Sequence, residues 1–157
     1  MRKLIRAVAI ILHKNQVLLI KRNNNGKKYY TFPGGGVEEN ETVENAVIRE
    51  VFEETTLQIK IEKLIYHHHY INNSDQYFYL CNYVSGEPKL GDCPEKKGME
   101  QGSGNLYEPL WIDITKINEL LLYPLEIRDW LLDDVKNNFK NTPRKMELNV
   151  KDIRQNL

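Results

Sequence analysis

The strongest constraint on this chain lies between Thr42 and Thr55, where apolar residues recur at helical spacing and Glu50, Glu53 and Glu54 crowd among them. At about 100° per residue, those three carboxylates fall inside an arc of about 100° on a helix. Val47, Ile48, Val51 and Phe52 take the remaining side and are expected to form the core face. Thr42 stands where an N-cap is expected, and Glu44 sits in the first turn, where the helix dipole favours negative charge. Like charges four residues apart, such as Glu50 and Glu54, cost a few tenths of a kcal/mol on an isolated helix. No lysine appears between Thr42 and Gln58, and only Arg49 lies close enough to compensate, through Glu53. Hard divalent cations seek oxygen ligands, so a cation held there would remove the repulsion and could activate a water. Taken alone, Glu-Glu pairs on a helix are usually just an acidic face left to solvent.

Around this helix the pattern is strand-like. Leu4 to Leu12 and Gln16 to Lys21 are apolar, β-branched runs joined by His13-Lys14-Asn15, a hairpin-like connection. Asn23-Asn24-Asn25-Gly26 is a turn signal, and Tyr30 to Phe32 a short strand stopped by Pro33 and the glycines Gly34, Gly35 and Gly36. Leu57 to Ile71, read as a broken run, and Gln76 to Val84 supply further strands, and Pro109 to Ile114 another. The stretch from Ser85 to Leu106 is rich in Gly, Pro, Lys and Glu, and is expected to be a lid, a binding loop or disordered. Helices are expected at Lys116 to Leu122 and Pro124 to Asn138. Strands before and after a central helix imply one α/β (α+β) domain over residues 1–140, a mixed sheet flanked by helices. Residues 141–157 read as a polar tail, in part helical.

Bulk composition narrows the partners. Lys plus Arg and Asp plus Glu are both 22, so the formal charge is zero. Proteins that ride on nucleic-acid backbones carry a basic excess, so no long nucleic acid is expected. A small polyphosphate gripped locally remains open. Cys81 and Cys93 lack zinc-site spacing and form no disulfide framework, which points to a reducing, cytoplasmic setting. Met1 to Leu12 has the outline of a signal peptide, but Arg6 interrupts its short apolar run and no small-residue cleavage site follows. No run is long enough to span a bilayer, so no membrane partner is expected.

From Gly35 the sequence runs five residues to Glu41, seven more to Arg49-Glu50, then Val51, one residue, Glu53-Glu54, one residue, Thr56 and Leu57. This resembles the Nudix box, the signature of the Nudix hydrolases, at every defined position except the last glycine, where Thr56 stands. The flanks are similar too: Phe32-Pro33-Gly34-Gly35 leads in, and a strand with Trp111 and a C-terminal helix follow. The resemblance implies the Nudix α/β/α sandwich and Mg²⁺-dependent hydrolysis, with Mn²⁺ as a substitute. The bond cut would be a phosphoanhydride in a small nucleotide-like substrate, a nucleoside diphosphate linked to another moiety. It makes Glu53 and Glu54 the principal metal ligands, Glu50 a ligand or general base, and Arg49 the residue that orients the carboxylates. Glu50, Glu53 and Arg49 are thus the catalytic candidates. Glu41, Gly34 and Gly35 become structural, the Gly35 backbone a further metal contact, and Glu100 or Glu108 a ligand from a later loop. A non-catalytic nucleotide-binding module and a diphosphate isomerase are the alternatives on the same fold. The isomerase chemistry needs an extra acid/base pair that often includes a cysteine.

Outside the box, Arg22 is placed to meet phosphates near the glycine loop, and Tyr30 and Phe32 to stack on a base. His67 to His69 read as sheet residues lining a pocket, with His67 and His69 on one face of a strand. Thr56 takes a position where glycine leaves the helix with positive φ, at a cost of roughly 1–2 kcal/mol for a β-branched residue, so either the exit bends differently or strain is absorbed. The oligomeric state is open, a homodimer included.

Overall fold

Two hairpins start the chain, and each turns on a pair of residues with positive φ. Lys14 and Asn15 (φ 50° and 61°) join strand β1 (Ile5–His13) to β2 (Gln16–Asn24), and Asn25 and Gly26 (φ 52° and 95°) join β2 to β3 (Lys27–Thr31). Two successive left-handed residues match the right-handed twist of the flanking strands, which is why an Asn-Gly pair is found here. The computed structural model describes residues 3–100, 102 and 104–148, without the side chains of Pro94, Glu95 and Glu100. The remaining elements are β4 (Gly34–Gly36), α1 (Val43–Thr55), β5 (Gln58–Tyr70), β6 (Asp75–Ser85), α2 (Pro94–Glu100) and β7 (Asn105–Asp113). A 3-10 turn (Ile114–Glu119), β8 (Leu122–Tyr123), α3 (Leu125–Lys136) and β9 (Arg144–Leu148) complete them.

The described strands form one mixed sheet that parts in the middle. β1 and β2 pair only at Leu12↔Val17 and His13↔Gln16. Beyond that point β1 takes β4 as its antiparallel neighbour and β6 as its parallel one, while β2 takes β3 and β7. The sheet therefore opens into two wings with a cleft between them. Ala7 to Ile11 are buried on both faces, as an unbroken apolar run requires. On one face Ala7, Ala9, Ile11 and Leu18 pack against Ala46, Val47 and Val51 of α1. On the other, Val8, Ile10, Val17 and Leu19 pack with Ile127 and Leu131 of α3. Each Val, Leu or Ile among them contributes roughly 1.5–3 kcal/mol by burial.

Several expectations change. The Leu57 to Ile71 run, read as broken, holds one continuous strand, Gln58–Tyr70, with register shifts against β6 between Gln58/Ile59, Ile61/Lys63 and Leu64/Tyr66. Where a helix is expected at Lys116 to Leu122, the 3-10 turn ends at Glu119 and the two-residue β8 begins at Leu122. The Ser85 to Leu106 stretch contains α2. In the tail, residues Arg144–Leu148 form a strand parallel to β5 instead of a helix. It is tied down by Asp134 of α3, fully buried, which accepts from the Tyr66 hydroxyl (2.6 Å) and the Arg144 guanidinium (2.5 Å). Among the described residues no helix is long and apolar enough to cross a membrane.

Candidate active site

Helix α1 begins where Thr42 caps it, its hydroxyl accepting from Asn45 N–H at 3.1 Å. Its buried side is rotated from the expected one. Val47, Val51, Glu54 and Thr55 are buried, whereas Ile48 and Phe52 are 45% and 54% exposed. At 100° per residue, Glu54, Val47, Val51 and Thr55 share an arc of about 100°, so a carboxylate occupies the edge of the core face. Glu54 is held there by the Gly34 N–H, which donates to its Oε1 at 2.9 Å.

Arg49 organises the other acids. Its Nε and Nη2 donate to both oxygens of Glu41 at 2.7 and 2.9 Å, a two-pronged pairing that suits guanidinium geometry. Its Nη1 reaches Glu50 at 2.9 Å and Glu53 at 3.3 Å, and Nη2 also donates to the Gly36 carbonyl at 3.0 Å. One side chain thus stitches the glycine loop to three acids of the box. Bonding from Arg49, opposed by burial and aided by the Glu38 N–H, holds the Glu41 carboxyl below the usual carboxylate range. The same bonds, Glu41 first, raise the Arg49 pKa, so it stays charged.

The glycines admit this arrangement. A Cβ on Gly35 would lie 2.5 Å from the Glu50 carboxyl, and one on Gly34 would lie 2.5 Å from the Ala7 carbonyl oxygen. Thr56 does take the left-handed conformation of the missing glycine, with φ 62° and ψ 5°, and its N–H donates to Phe52 O. Its hydroxyl donates to the Glu87 carbonyl at 2.9 Å, and Lys89 N–H donates to Thr55 O at 3.0 Å. The loop after β6 is thereby fastened to the end of α1.

That fastening brings in an acid the sequence did not single out. Gly91 lies so close that an added Cβ would sit 2.4 Å from the Glu53 carbonyl oxygen. Its neighbour Asp92 lines a cavity of about 460 Å³ with Glu38, Glu50, Glu53, Arg49, Arg6 and the glycine loop. Glu108, by contrast, is exposed on β7 opposite Lys21. The Glu100 side chain lies outside the described residues. Only the contact of Gly91 with the helix end, invisible in the sequence, marks Asp92.

A second cavity, of about 300 Å³, opens in the cleft between the wings. Arg6, Arg22, Phe32, Glu54, Gln76 and Tyr107 are among its walls. Arg22 lies over the Tyr107 ring, 3.8 Å from its centre, and donates to its hydroxyl at 2.6 Å. Tyr30 stands apart, packed against the core on the α3 side. Arg6 lines both cavities, and was missed because a lone arginine in an apolar strand reads as an interruption. In the histidine run, His68 alone is fully buried, facing Phe78 and Trp130. Burial first, then the charge of His67, lowers its pKa to about 4, so it is neutral. His67 and His69 face the other way, toward Asp75.

The donor set around the first cavity is all oxygen, from carboxylates and loop carbonyls, which suits Mg²⁺ or Mn²⁺ over thiol- or imidazole-seeking ions. Several relatives match part of the chain. An ADP-ribose pyrophosphatase of Methanocaldococcus jannaschii is 51% identical over 57 residues, 36% of this chain and 34% of that one. An RNA pyrophosphohydrolase of Actinobacillus succinogenes is 44% identical over 59 residues, 38% of this chain and 29% of that one. The chain thus spans about a third of the length of these relatives. Among solved structures, a Nudix hydrolase from Nitrosomonas europaea aligns over 96% of this chain and 81% of its own, with a TM-score of 0.70 at 20% identity. An ADP-ribose pyrophosphatase from Streptococcus suis aligns over 94% of this chain and all of its own, with a TM-score of 0.65 at 16% identity. The model of the NUDIX domain matches residues 3–130. With the box carboxylates gathered on α1 and a family match over most of its length, the chain belongs to the Nudix family.

Proposed function

We propose that this protein hydrolyses a phosphoanhydride in a nucleoside diphosphate linked to another group, with Mg²⁺ or Mn²⁺ held by Glu50, Glu53 and Glu54. The observation that carries this reading is that the two cavities share walls. Glu54 borders the cleft, Glu50 and Glu53 border the acidic cavity, and Arg6 and Gly34 border both. When bound, the cation neutralises phosphate oxygens and lowers the pKa of a coordinated water. Arg6 and Arg22 are placed to receive the diphosphate, and Phe32 with the Arg22–Tyr107 stack to flank the nucleoside. Arg49 keeps Glu50 and Glu53 oriented, and one of these two carboxylates accepts the proton of the attacking water. A new P–O bond forms as the bridging P–O bond breaks, and the leaving group departs phosphorylated. Asp92 joins the cation cluster from the loop, the role the family resemblance assigned to Glu100 or Glu108.

The rival readings have less support. Cys81 is fully buried, its thiol pushed up to about 12 by burial and the charge of Glu62, and Cys93 is buried too. That disfavours an isomerase relying on an accessible cysteine. A binder without turnover leaves the complete Arg49–glutamate set unused. The buried thiols fit a reducing compartment such as the cytoplasm.

The names of the relatives supply ADP-ribose and RNA for the substrate panel, and nucleoside triphosphates, dinucleoside polyphosphates and nucleotide sugars complete it. Phosphate release with Mg²⁺ or Mn²⁺, with and without added phosphatase and pyrophosphatase, reads the products. A cleft of about 300 Å³ favours a nucleotide-sized compound. Metal-dependent release from at least one panel member is expected, and release from none would reject the reading.

A further inference from the structure

On the α1 face of the sheet, three side chains outside both cavities converge. His67 and His69 lie two apart on β5, on the same side of the strand, and Asp75 opens β6 as the cross-strand partner of His69. His67 Nε2 is 2.6 Å and His69 Nδ1 2.9 Å from the same oxygen, Asp75 Oδ1. The available ligand atoms all lie within 4.8 Å of one another. We propose that His67, His69 and Asp75 form a second cation site, for imidazole-seeking ions such as Zn²⁺, Co²⁺ or Ni²⁺, separate from the glutamate cluster.

The donor chemistry sets the selectivity. Two imidazoles and one carboxylate suit first-row transition ions, whereas the all-oxygen cluster suits Mg²⁺ or Mn²⁺. The arrangement is largely prepared. His67 is stacked on Tyr77 at 4.4 Å with 15° between the rings, which fixes its plane. Lys3 Nζ pairs with Asp75 Oδ2 at 2.5 Å, leaving Oδ1 to the histidines. Burial pushes the Asp75 carboxyl up, but bonds from Lys3, His69 and His67 outweigh it and hold the pKa at about 2, so the carboxylate is ionised. An ion with bonds of about 2.0–2.1 Å in a tetrahedral site spaces its ligand atoms by roughly 3.3 Å, so the contacts of 2.6 and 2.9 Å need to lengthen by about 0.7 and 0.4 Å, and the two ring nitrogens, within 4.8 Å of each other, to take the same spacing. The ion takes the ring nitrogens that face Oδ1, and each imidazole, as a neutral ligand, carries its proton on the other nitrogen, Nδ1 of His67 and Nε2 of His69. The histidine side chains are 20% and 30% exposed against 2% for Asp75, so water has access to the fourth position. The Lys3 ammonium is the opposing feature, and its charge weakens the site.

The competing reading is that the three residues merely tie the β5–β6 hairpin by hydrogen bonds. The full chain carrying Glu53→Gln and Glu54→Gln, which removes the first site, is titrated with Zn²⁺ by calorimetry and with Co²⁺ by its visible absorption. One equivalent is expected to bind, with the intense visible bands of tetrahedral cobalt and a Zn²⁺-dependent rise in Tm. His67→Gln and His69→Gln should each weaken binding at least tenfold. Lys3→Met should tighten it, a gain that a purely hydrogen-bonded tie does not produce. Because Lys3 is exposed, that variant does not threaten the fold. Absence of saturable binding in the background protein, or binding unchanged in both histidine variants, overturns the proposal. Neither outcome depends on whether the glutamate cluster is catalytic.

Discussion

At the scale of single residues, the chain tolerates strain where a contact repays it. Thr56 sits at φ 62°, a conformation that costs a β-branched side chain roughly 1–2 kcal/mol, and its hydroxyl bond to Glu87 O contributes about 1 kcal/mol in return. Thr56→Ala keeps the strained backbone and loses the bond, so it is expected to lower unfolding free energy by about 1 kcal/mol in urea denaturation. Thr56→Gly relieves the strain while losing the same bond, and should stay within about 0.5 kcal/mol of wild type. A glycine variant less stable than the alanine variant would contradict this account. Gly35 is strict in the opposite sense, because its missing Cβ is the space the Glu50 carboxyl occupies. Gly35→Ala should therefore keep the circular dichroism spectrum and lower metal-dependent turnover at least tenfold. Unchanged turnover would show that Glu50 does not need its position.

At the scale of elements, periodicity located the helix and its cap but misjudged its orientation. Apolar spacing cannot distinguish Val47 and Val51, which meet the sheet, from Ile48 and Phe52, which meet solvent, because all four are apolar and adjacent. What turns the helix is Glu54, drawn to the core edge by the Gly34 N–H, a bond made across 20 residues of sequence. β9 was illegible for a similar reason. Arg144–Leu148 is polar and alternating, and its place beside β5 depends on Asp134 and Tyr66, which lie on other elements. Among the described residues, Arg144→Ala leaves the buried Asp134 carboxylate with the Tyr66 hydroxyl as its side-chain partner. The variant should lose about 2 kcal/mol of stability, discounted because the arginine is itself partly exposed. Thermal unfolding checks this, and an unchanged Tm would mean that β9 is held by its strand pairing alone.

At the scale of the whole molecule, the box, its arginine and a mixed sheet flanked by helices are readable because they rest on local spacing, and the sandwich follows from the family resemblance that the box carries. The split of the sheet into two wings is not readable, since it follows from β1 and β2 pairing at just two positions before each finds other neighbours. That split makes the cleft, and Arg6 of β1 lines both the cleft and the acidic cavity, whereas Asp92 owes its place to the contact of Gly91 with the end of α1. The central claim is that Glu50, Glu53 and Glu54 tolerate their mutual repulsion because a divalent ion sits among them. Electron paramagnetic resonance titration of Mn²⁺ into wild type and Glu53→Gln measures this directly. The account predicts saturable binding to wild type that weakens at least tenfold in a folded Glu53→Gln protein. Equal Mn²⁺ affinity in the two proteins would contradict it.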